Sequence, residues 1–368
     1  MRVMKLIYDS TAKSPDLLYL SGFHAPDPII YFEISRKKYL VLNDLEYERG
    51  LSESKVDKIM RLNDFIDSKK NNSLQDILSR IIKKMKIEKI IVPYSFPSYL
   101  FQKLPKKIIK EVLDNNIFCK ERLVKSKDEV KKIKLIMSKT EKVMGEIIKI
   151  IKYSKIRNNY LIHNSKILTS EYLIKFCQSE LFKYSLTCPE CIIAGGSKST
   201  QPHNHGSGPL KQSTSIVIDI FPKSLINGYY GDITRTICKG KPDKILQNMF
   251  KVVLRGQKLG LKMLKAGVDG MKIHNKILNE FNKSNFVTSF DNEKPQGFIH
   301  STGHGLGLEI HEPPRISKVK EILKEGNVVT VEPGLYYSNI GGVRIEDTVV
   351  IEKSGIKNLT KFPKFFEV

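Results

Sequence analysis

Four acidic side chains and one histidine stand in the second half of this 368-residue chain, each beside an apolar run or between glycines. Carboxylate oxygens and an imidazole nitrogen are donors that hold a pair of divalent ions, and paired ions commonly catalyse hydrolysis. The series therefore predicts a two-metal hydrolytic site. Its members are Asp219, Asp232, His304, Glu332 and Glu346.

The acids stand where predicted strands end. Asp219 follows the apolar run at 215–218, and Glu332 follows the run at 328–331. Glu346 lies two residues after Arg344, on the same side of a predicted strand, because strand side chains alternate. A buried carboxylate is costly unless it is paired or binds metal. Solvation or a salt bridge explains any one of these acids but not the whole set.

Glycines surround His304 in the segment 301–307, where they let the backbone approach a ligand and leave the imidazole unobstructed. The same segment contains a GxGxG pattern. No strand before it and no helix after it supports a dinucleotide-binding loop. The glycines therefore favour metal binding by His304.

The first 120 residues alternate predicted strands and helices, which indicates an α/β domain with a central sheet. Strands are expected at DLLYLSGF, KKYLVLND and IEKIIVPY. Helices are expected at KVDKIMRLNDFIDS and SLQDILSRIIKKM.

A junction is predicted near residues 119–130. Ser126 and Glu129 have the spacing of a capping box, so one long helix should begin there. Further helices are expected over 159–183, 242–265 and 270–284, with strands between and after them. The apolar stripe of the long helix consists of Val130, Ile133, Met137, Val143, Ile147 and Ile151.

Three motifs carry a family resemblance: HSTGHGLGLEIHE, VEPGLYY and GGVRIEDT. The chain resembles the pita-bread metallopeptidases, the family of methionine aminopeptidase, aminopeptidase P, prolidase and creatinase, and within it the aminopeptidase P and prolidase branch. The segment YLSGF at 19–23 resembles the creatinase-type N-terminal domain. The resemblance implies a small creatinase-like α/β domain over residues 1–122 and an α+β pita-bread catalytic domain over 123–368.

The resemblance also implies a role for each ligand. Asp219 would bind one metal, His304 and Glu332 would bind the second, and Asp232 and Glu346 would bridge the pair. A hydroxide would lie between two ions about 3.5–4 Å apart. Manganese is the expected metal, with cobalt, iron and zinc as alternatives.

Further roles follow from the same resemblance. His203, His300 and His311 would line the proline-side pocket and stabilise the tetrahedral oxyanion, as substrate-binding residues, with His203 and His311 also catalytic. Glu332 would shuttle a proton to the leaving nitrogen. Arg344 would orient a bridging carboxylate from outside the ligand set.

Two departures from the family pattern concern residues at the entrance of the predicted site. The gap from Asp219 to Asp232 is about two residues longer than usual. The segment 202–206 offers two histidines where one is typical, so His205 is the alternative to His203.

The implied function is a metal-dependent exopeptidase that hydrolyses Xaa-Pro bonds at the N-terminus of peptides or in dipeptides. Its partners would be short peptides with proline second, and it would form a homodimer. One alternative is a catalytically idle relative that acts as a binding protein, which predicts the loss of ligands, although all five are present. The other is a hydrolase of a non-peptide C–N bond.

Composition argues against several other classes of protein. The net charge of +23 raises a nucleic-acid hypothesis, but the lysines are spread along the chain with no accompanying nucleic-acid motif. Five cysteines, an odd number, argue against a disulfide scaffold. The pattern from Cys188 to Cys191 is a lone CxxC, interpreted as ordinary thiols in a strand. No signal peptide or membrane span is recognisable, so a cytoplasmic protein is expected.

Overall fold

The computed structural model describes residues 1–68, 72–113, 117–290 and 294–368. The chain divides into two compact units, Met1–Arg122 and Leu123–Val368. Among the described residues, no helix combines the length and apolar character that a membrane span requires.

The first unit is built on a six-stranded mixed sheet with strand order β4-β3-β2-β1-β5-β6. One face packs against helices α3 and α4, and the other against α1. The alternation of helices and strands therefore forms an α/β layer structure. Its strands are β1 (Val3–Asp9), β2 (Ile29–Ile34), β3 (Lys37–Leu42), β4 (Lys58–Arg61), β5 (Lys89–Pro93) and β6 (Ile109–Leu113), and its helices are α1 (Pro15–Ser21), α2 (Asp44–Glu53), α3 (Leu74–Lys84) and α4 (Ser98–Lys103).

The strand expected at DLLYLSGF is wrong, because this segment is the helix α1. Ser14 caps it by accepting a hydrogen bond from the backbone of Leu17, and Pro15 occupies the first turn, where proline needs no donor. Gly22 ends it in the left-handed conformation. These end signals outweigh the short apolar run.

The helix expected at KVDKIMRLNDFIDS is also wrong. Lys58–Arg61 within it form β4, which pairs in parallel with β3, and a 3₁₀ turn follows at Leu62–Phe65. Met60 and Phe65 are buried in the core of this unit. Pairing with the sheet therefore overrides a helix-like spacing of apolar residues.

The second unit holds two antiparallel sheets, ordered β11-β12-β14 and β16-β15-β17-β20-β21, and shorter strand pairs. Helices α7 and α8 pack on the second of these sheets around a large apolar core. The helices are α5 (Lys127–Tyr153), α6 (Ser170–Phe182), α7 (Lys244–Met263) and α8 (Gly270–Lys283). The strands are β7 (Lys155–Arg157), β8 (Tyr160–His163), β9 (Lys166–Ile167), β10 (Leu186–Thr187), β11 (Ile192–Gly195), β12 (Ile216–Ile220), β13 (Lys223–Ser224), β14 (Ile233–Ile237), β15 (Gly303–Gly305), β16 (Glu312–Ile316), β17 (Val328–Val331), β18 (Gly334–Tyr337), β19 (Gly341–Arg344), β20 (Asp347–Glu352) and β21 (Gly355–Asn358).

The long helix α5 begins as the sequence predicts. Ser126 accepts a hydrogen bond from the backbone of Glu129, and the Glu129 side chain accepts one from the backbone of Ser126, which completes the capping box. Most of the predicted apolar stripe is fully buried, including Ile133 and Met137. This helix packs behind the strands that carry the first two acids.

The helix expected over 159–183 begins at Ser170 instead. The residues before it form the hairpin strands β7, β8 and β9. Asn158 and Asn159 turn between the first two strands with positive φ, as do Asn164 and Ser165 between the next two. Asparagine pairs suit such two-residue turns, so the NN and NS dipeptides were the signal for hairpins.

Candidate metal centre and its cavity

The first two acids come together on neighbouring strands. Asp219 lies in β12 opposite Thr234 of β14, and Asp232 directly precedes β14. The backbone N–H of Asp232 donates to the sulfur of Met137, 3.2 Å away. Both carboxylates are buried, and they point into one cavity.

The longer gap between these acids has a structural cause. After β12 the chain forms β13, which pairs with β10 on the far side. It then returns, and the backbone of Tyr230 donates to the carbonyl of Gly307. The additional residues therefore lie in a loop that pairs with β10, and the pairing of β12 with β14 is continuous.

His304 lies in β15, where the backbone packs closely on β17. A Cβ atom at Gly303 would lie 1.9 Å from the carbonyl oxygen of Thr330, so only glycine fits there. The Nδ1 atom of His304 lies 3.1 Å from the carbonyl oxygen of Gly305. A hydrogen bond from Nδ1 leaves Nε2 as the atom able to bind a metal.

The His304 Nε2 atom faces two of the acids. It lies 3.1 Å from an oxygen of Glu332 and 3.7 Å from an oxygen of Asp232. Glu332 follows β17, and its backbone N–H donates to the carbonyl of Thr302. The strand pairing thus holds a histidine and a carboxylate from opposite strands against each other.

Glu346 completes the group. It lies between β19 and β20, and its backbone N–H donates to the carbonyl of Thr234. Ligand atoms of Asp232, His304 and Glu346 all lie within 4.8 Å of one another. The five predicted ligands, including Asp219 and Glu332, line the same cavity.

Two buried oxygen atoms in this group have no hydrogen-bond partner among the described residues: Oδ1 of Asp219 and Oε1 of Glu346. Buried polar atoms are normally satisfied. A cation that prefers oxygen ligands would satisfy both atoms, so the donor set fits a divalent metal site.

The electrostatics agree with this interpretation. Burial raises the pKa of Asp232 well above its usual range, and the neighbouring Glu346 and Asp219 raise it further. Burial followed by the charges of Glu332 and Asp219 does the same to Glu346. Crowded buried carboxylates repel one another, and bound cations relieve that repulsion.

Glu332 differs from these acids. Burial alone would raise its pKa, but the hydrogen bond and charge of His304 lower it to about 2. Glu332 is therefore ionised at neutral pH.

Arg344 has a partner other than the one expected. Its Nη2 atom donates to Oδ2 of Asp219 at 2.7 Å, whereas Glu346 is held by the Thr234 hydroxyl at 2.8 Å. The guanidinium also donates to the hydroxyl of Tyr336 at 2.7 Å. Alternation put Arg344 on the correct face, but its long side chain reaches across to β12.

The ligands lie in a cavity of about 590 Å³ that also contains the four histidines singled out from the sequence. The ring centroids of His304 and His311 lie 4.3 Å apart, with the rings perpendicular. His300 lies 3.0 Å from the hydroxyl of Tyr336 through Nε2. The lining further includes Glu190, Ile192, Phe221, Ile310 and Arg315.

His203 and His205 both line this cavity, but they face different neighbours. His203 is a neighbour of His300 and His311, whereas His205 is a neighbour of Cys191. Among the two, His203 is therefore the one grouped with the other cavity histidines.

Two of these histidines are neutral at physiological pH. Burial lowers the pKa of His300 to about 4. Burial and the neighbouring His304 lower the pKa of His311 to about 4 as well. Neutral imidazoles can donate one hydrogen bond and accept another.

Three residues of the site were not singled out from the sequence. Tyr336 links His300 to Arg344, Thr234 holds Glu346, and Arg315 adds a cation to the cavity lining. Tyr336 belongs to the VEPGLYY motif, which was the available signal for it. Arg315 lies four residues after His311 and had no periodic pattern to distinguish it.

Sequence comparison with known proteins identifies relatives of this chain. The sequence profile of metallopeptidase family M24 matches residues 131–353. The chain is 33% identical over 358 residues to the Xaa-Pro dipeptidase of Pyrococcus horikoshii, covering 95% of this chain and 91% of that protein. It is 33% identical over 327 residues to the Xaa-Pro dipeptidase of Pyrococcus furiosus, covering 88% of this chain and 84% of that protein.

Solved structures show the same fold. The X-Pro aminopeptidase of Thermotoga maritima superimposes with a TM-score of 0.80 at 25% identity, covering 99% of this chain and 97% of that one. The Xaa-Pro dipeptidase of Bacillus anthracis gives a TM-score of 0.82 at 22% identity, covering 100% and 95%. The expected pita-bread fold and the expected resemblance are confirmed. The chain belongs to metallopeptidase family M24.

Proposed function

We propose that this protein is a metal-dependent Xaa-Pro dipeptidase. The observation that carries the proposal is one cavity in which four carboxylates and a histidine converge beside neutral histidines and an arginine. Its relatives in the genus Pyrococcus that are 33% identical are Xaa-Pro dipeptidases by name.

The proposed metal ligands are Asp219, Asp232, His304, Glu332 and Glu346. Bound divalent ions would polarise the scissile carbonyl and activate water for attack. The oxygen-rich donor set suits manganese, and the histidine also suits cobalt, iron or zinc. Two ions per chain, the use of manganese, a homodimer and a cytoplasmic location remain predictions.

Glu332 is proposed to move the proton. Its carboxylate is ionised at neutral pH and lies at the end of β17 facing the cavity. It can accept a proton from the attacking water and deliver it to the leaving proline nitrogen. A proline nitrogen in the peptide bond carries no hydrogen, so this delivery is needed for the ring amine to leave.

Two of the cavity histidines are proposed to hold the substrate carbonyl. His203 and His311 can donate hydrogen bonds to the oxygen that becomes negatively charged. The carbonyl of Pro202 lies 3.3 Å from Nη1 of Arg344, which ties the loop carrying His203 to the metal-site arginine. His300, fixed against Tyr336, would line the proline side.

Arg315 supports dipeptidase over aminopeptidase activity. It lines the cavity near His311, and among the described residues its guanidinium has no carboxylate partner. The carboxylate of an Xaa-Pro dipeptide offers a bidentate partner for a guanidinium. A longer peptide has a neutral amide at that position.

The test compares Xaa-Pro dipeptides with Xaa-Pro-Yaa tripeptides under defined Mn²⁺ and Co²⁺. We expect the dipeptide to be preferred, and Arg315→Gln to raise its KM while leaving tripeptide hydrolysis nearly unchanged. Arg157→Gln, at an exposed arginine in the hairpin strand β7, is the matched control. Equal use of both substrates would assign the protein to the aminopeptidase branch. Failure to cleave either substrate would refute the proposal that the protein is an Xaa-Pro peptidase.

The two cavity histidines are separated by paired variants. His203→Ala should lower kcat by roughly 10²-fold, the cost of one lost oxyanion donor, with metal content intact. His205→Ala should have little effect. The reverse result would assign the catalytic role to His205.

A further inference from the structure

The CxxC segment lies in a turn against the wall of the cavity. Cys188 follows β10, Cys191 precedes β11, and Pro189 and Glu190 form the exposed turn between them. The expectation of thiols inside a strand is therefore wrong. Glu190 lines the cavity, and Ile192 pairs with the metal-site strand at Asp219.

The fold brings a third thiol to this turn. Cys177 of α6 is fully buried, as are both thiols of the turn. The next residue of α6, Gln178, donates from its side chain to the carbonyls of Cys188 and Pro189, at 3.4 and 3.0 Å. Helix and turn are thus fastened together with their sulfur atoms inside.

Cys191 is the central thiol of the three. The neighbouring thiols of Cys177 and Cys188 lower the pKa of Cys191, and Cys191 in turn raises the pKa of Cys177. A thiolate is the reactive form of cysteine, so Cys191 is the nucleophile of the cluster.

The spacing of the two cysteines across a turn is one at which a disulfide can form. The ends of a β-turn lie within about 7 Å of each other at Cα, which includes the separation of about 4.4–6.8 Å found across disulfides. A bond between Cys188 and Cys191 requires their side chains to reorient and the turn to adjust to the geometry of the disulfide.

We propose that Cys188 and Cys191 are an oxidation site, which a peroxide converts into an intramolecular disulfide beneath the cavity wall. The Cys191 sulfur attacks a peroxide oxygen, the O–O bond breaks, and a sulfenic acid and one water result. The Cys188 sulfur then attacks the Cys191 sulfur, the S–O bond breaks, and a second water leaves. The two thiols lose two electrons and two protons, and the peroxide gains them.

The bond would reshape the turn that carries Glu190 and the start of the strand paired with Asp219. Small displacements of substrate-positioning groups cost large factors in rate. Oxidation should therefore slow hydrolysis on the order of tenfold, reversibly with dithiothreitol. This consequence rests on the proposed dipeptidase function, whereas formation of the bond does not.

Mass spectrometry of tryptic peptides tests the bond directly. Trypsin releases residues 184–198, which contain both cysteines of the turn, separately from residues 176–183, which contain Cys177. After hydrogen peroxide treatment and alkylation, the 184–198 peptide should be lighter by two hydrogens and unalkylated. Sulfinic acid at Cys191, full alkylation, or a cross-link to the 176–183 peptide would overturn the proposed pair.

Variants separate the site from general oxidation. Cys191→Ser and Cys188→Ser should each abolish the mass change and the peroxide-dependent loss of activity. Cys238→Ser, at an equally buried thiol in the core beside α7, should retain both. Formation of the disulfide with undiminished hydrolysis would overturn its coupling to the active site. Absence of hydrolysis in the untreated protein would instead count against the proposed function.

Discussion

Glu346 and Asp347 are consecutive buried carboxylates with opposite surroundings. Asp347 receives Arg235 at 3.0 Å, Asn358 at 2.9 Å and the ammonium of Lys364. Glu346 receives one threonine hydroxyl, and its second oxygen has no partner among the described residues. Neither side chain is more than 1% exposed.

The difference shows in their ionisation. Burial raises the pKa of both, but for Asp347 the charges of Arg235 and Lys364 prevail and lower it. For Glu346 the neighbouring acids raise it further. The charge of a buried acid with its own cations is compensated within the fold, whereas an acid left among other acids lacks such compensation and favours a cation from outside.

The largest effect is expected at the unsatisfied acid. Glu346→Gln should lower kcat/KM by more than the roughly 10–100-fold that loss of an outer partner costs, and should reduce bound metal. Without metal the variant should melt no lower than the parent protein, because an uncompensated charge is removed. Elemental analysis, kinetics and thermal melting measure these quantities.

Glu352→Gln, at an exposed acid ending β20, is the control for this change. Full metal content and unchanged turnover in Glu346→Gln would remove Glu346 from the ligand set.

The satisfied acid should behave in the opposite way. Asp347→Asn leaves Arg235 buried without its counter-charge, which costs about 3–5 kcal/mol of unfolding free energy. Denaturant titration of the metal-free protein measures this loss. Reduced metal binding at unchanged stability would show that the two carboxylates do not differ as described.

A smaller effect is expected at Arg344. Lysine keeps the charge but cannot hold Asp219 and Tyr336 at once, as the guanidinium does. Arg344→Lys should therefore weaken metal binding or activity by roughly 10–100-fold. Metal titration by calorimetry, with Arg255→Lys at an exposed helix position as control, checks it.

The smallest effect concerns a buried group that stays neutral. Burial, Lys318 and His300 lower the pKa of His274 to about 4, and its Nε2 atom has no partner among the described residues. The unfolded chain, with a pKa near 6.5, binds the proton more readily between these values. The unfolding free energy should therefore fall as pH decreases from about 6.5 to 4.

His274→Leu should flatten this dependence, whereas His24→Gln, at an exposed histidine, should leave it unchanged. Thermal melts across that pH window compare the two. An identical slope in His274→Leu would assign the titration to another group.

The five proposed metal ligands could be singled out from the sequence because each stands beside a local signal. An acid directly after an apolar strand is visible in sequence, and so is a histidine among glycines. The start of α5 was visible for the same reason, since Ser126 and Glu129 form their capping box within four residues.

The partners of these ligands were not predictable, because they come from distant segments. Arg344 and Asp219 are 125 residues apart, and Thr234 and Glu346 are 112 apart. Strand pairing creates these contacts, and a single sequence does not show the register. The thiol cluster has the same origin, because Cys177 reaches the CxxC turn only through the packing of α6.

The tight contact at Gly303 limits which positions of the site can be changed in protein engineering. Variants with a side chain at Gly303, beside His304, should fail to fold, because that side chain would clash with the backbone of β17. Arg315 is exposed and lines the same cavity. Substrate preference is therefore best varied at Arg315, with the strand that carries His304 left unchanged.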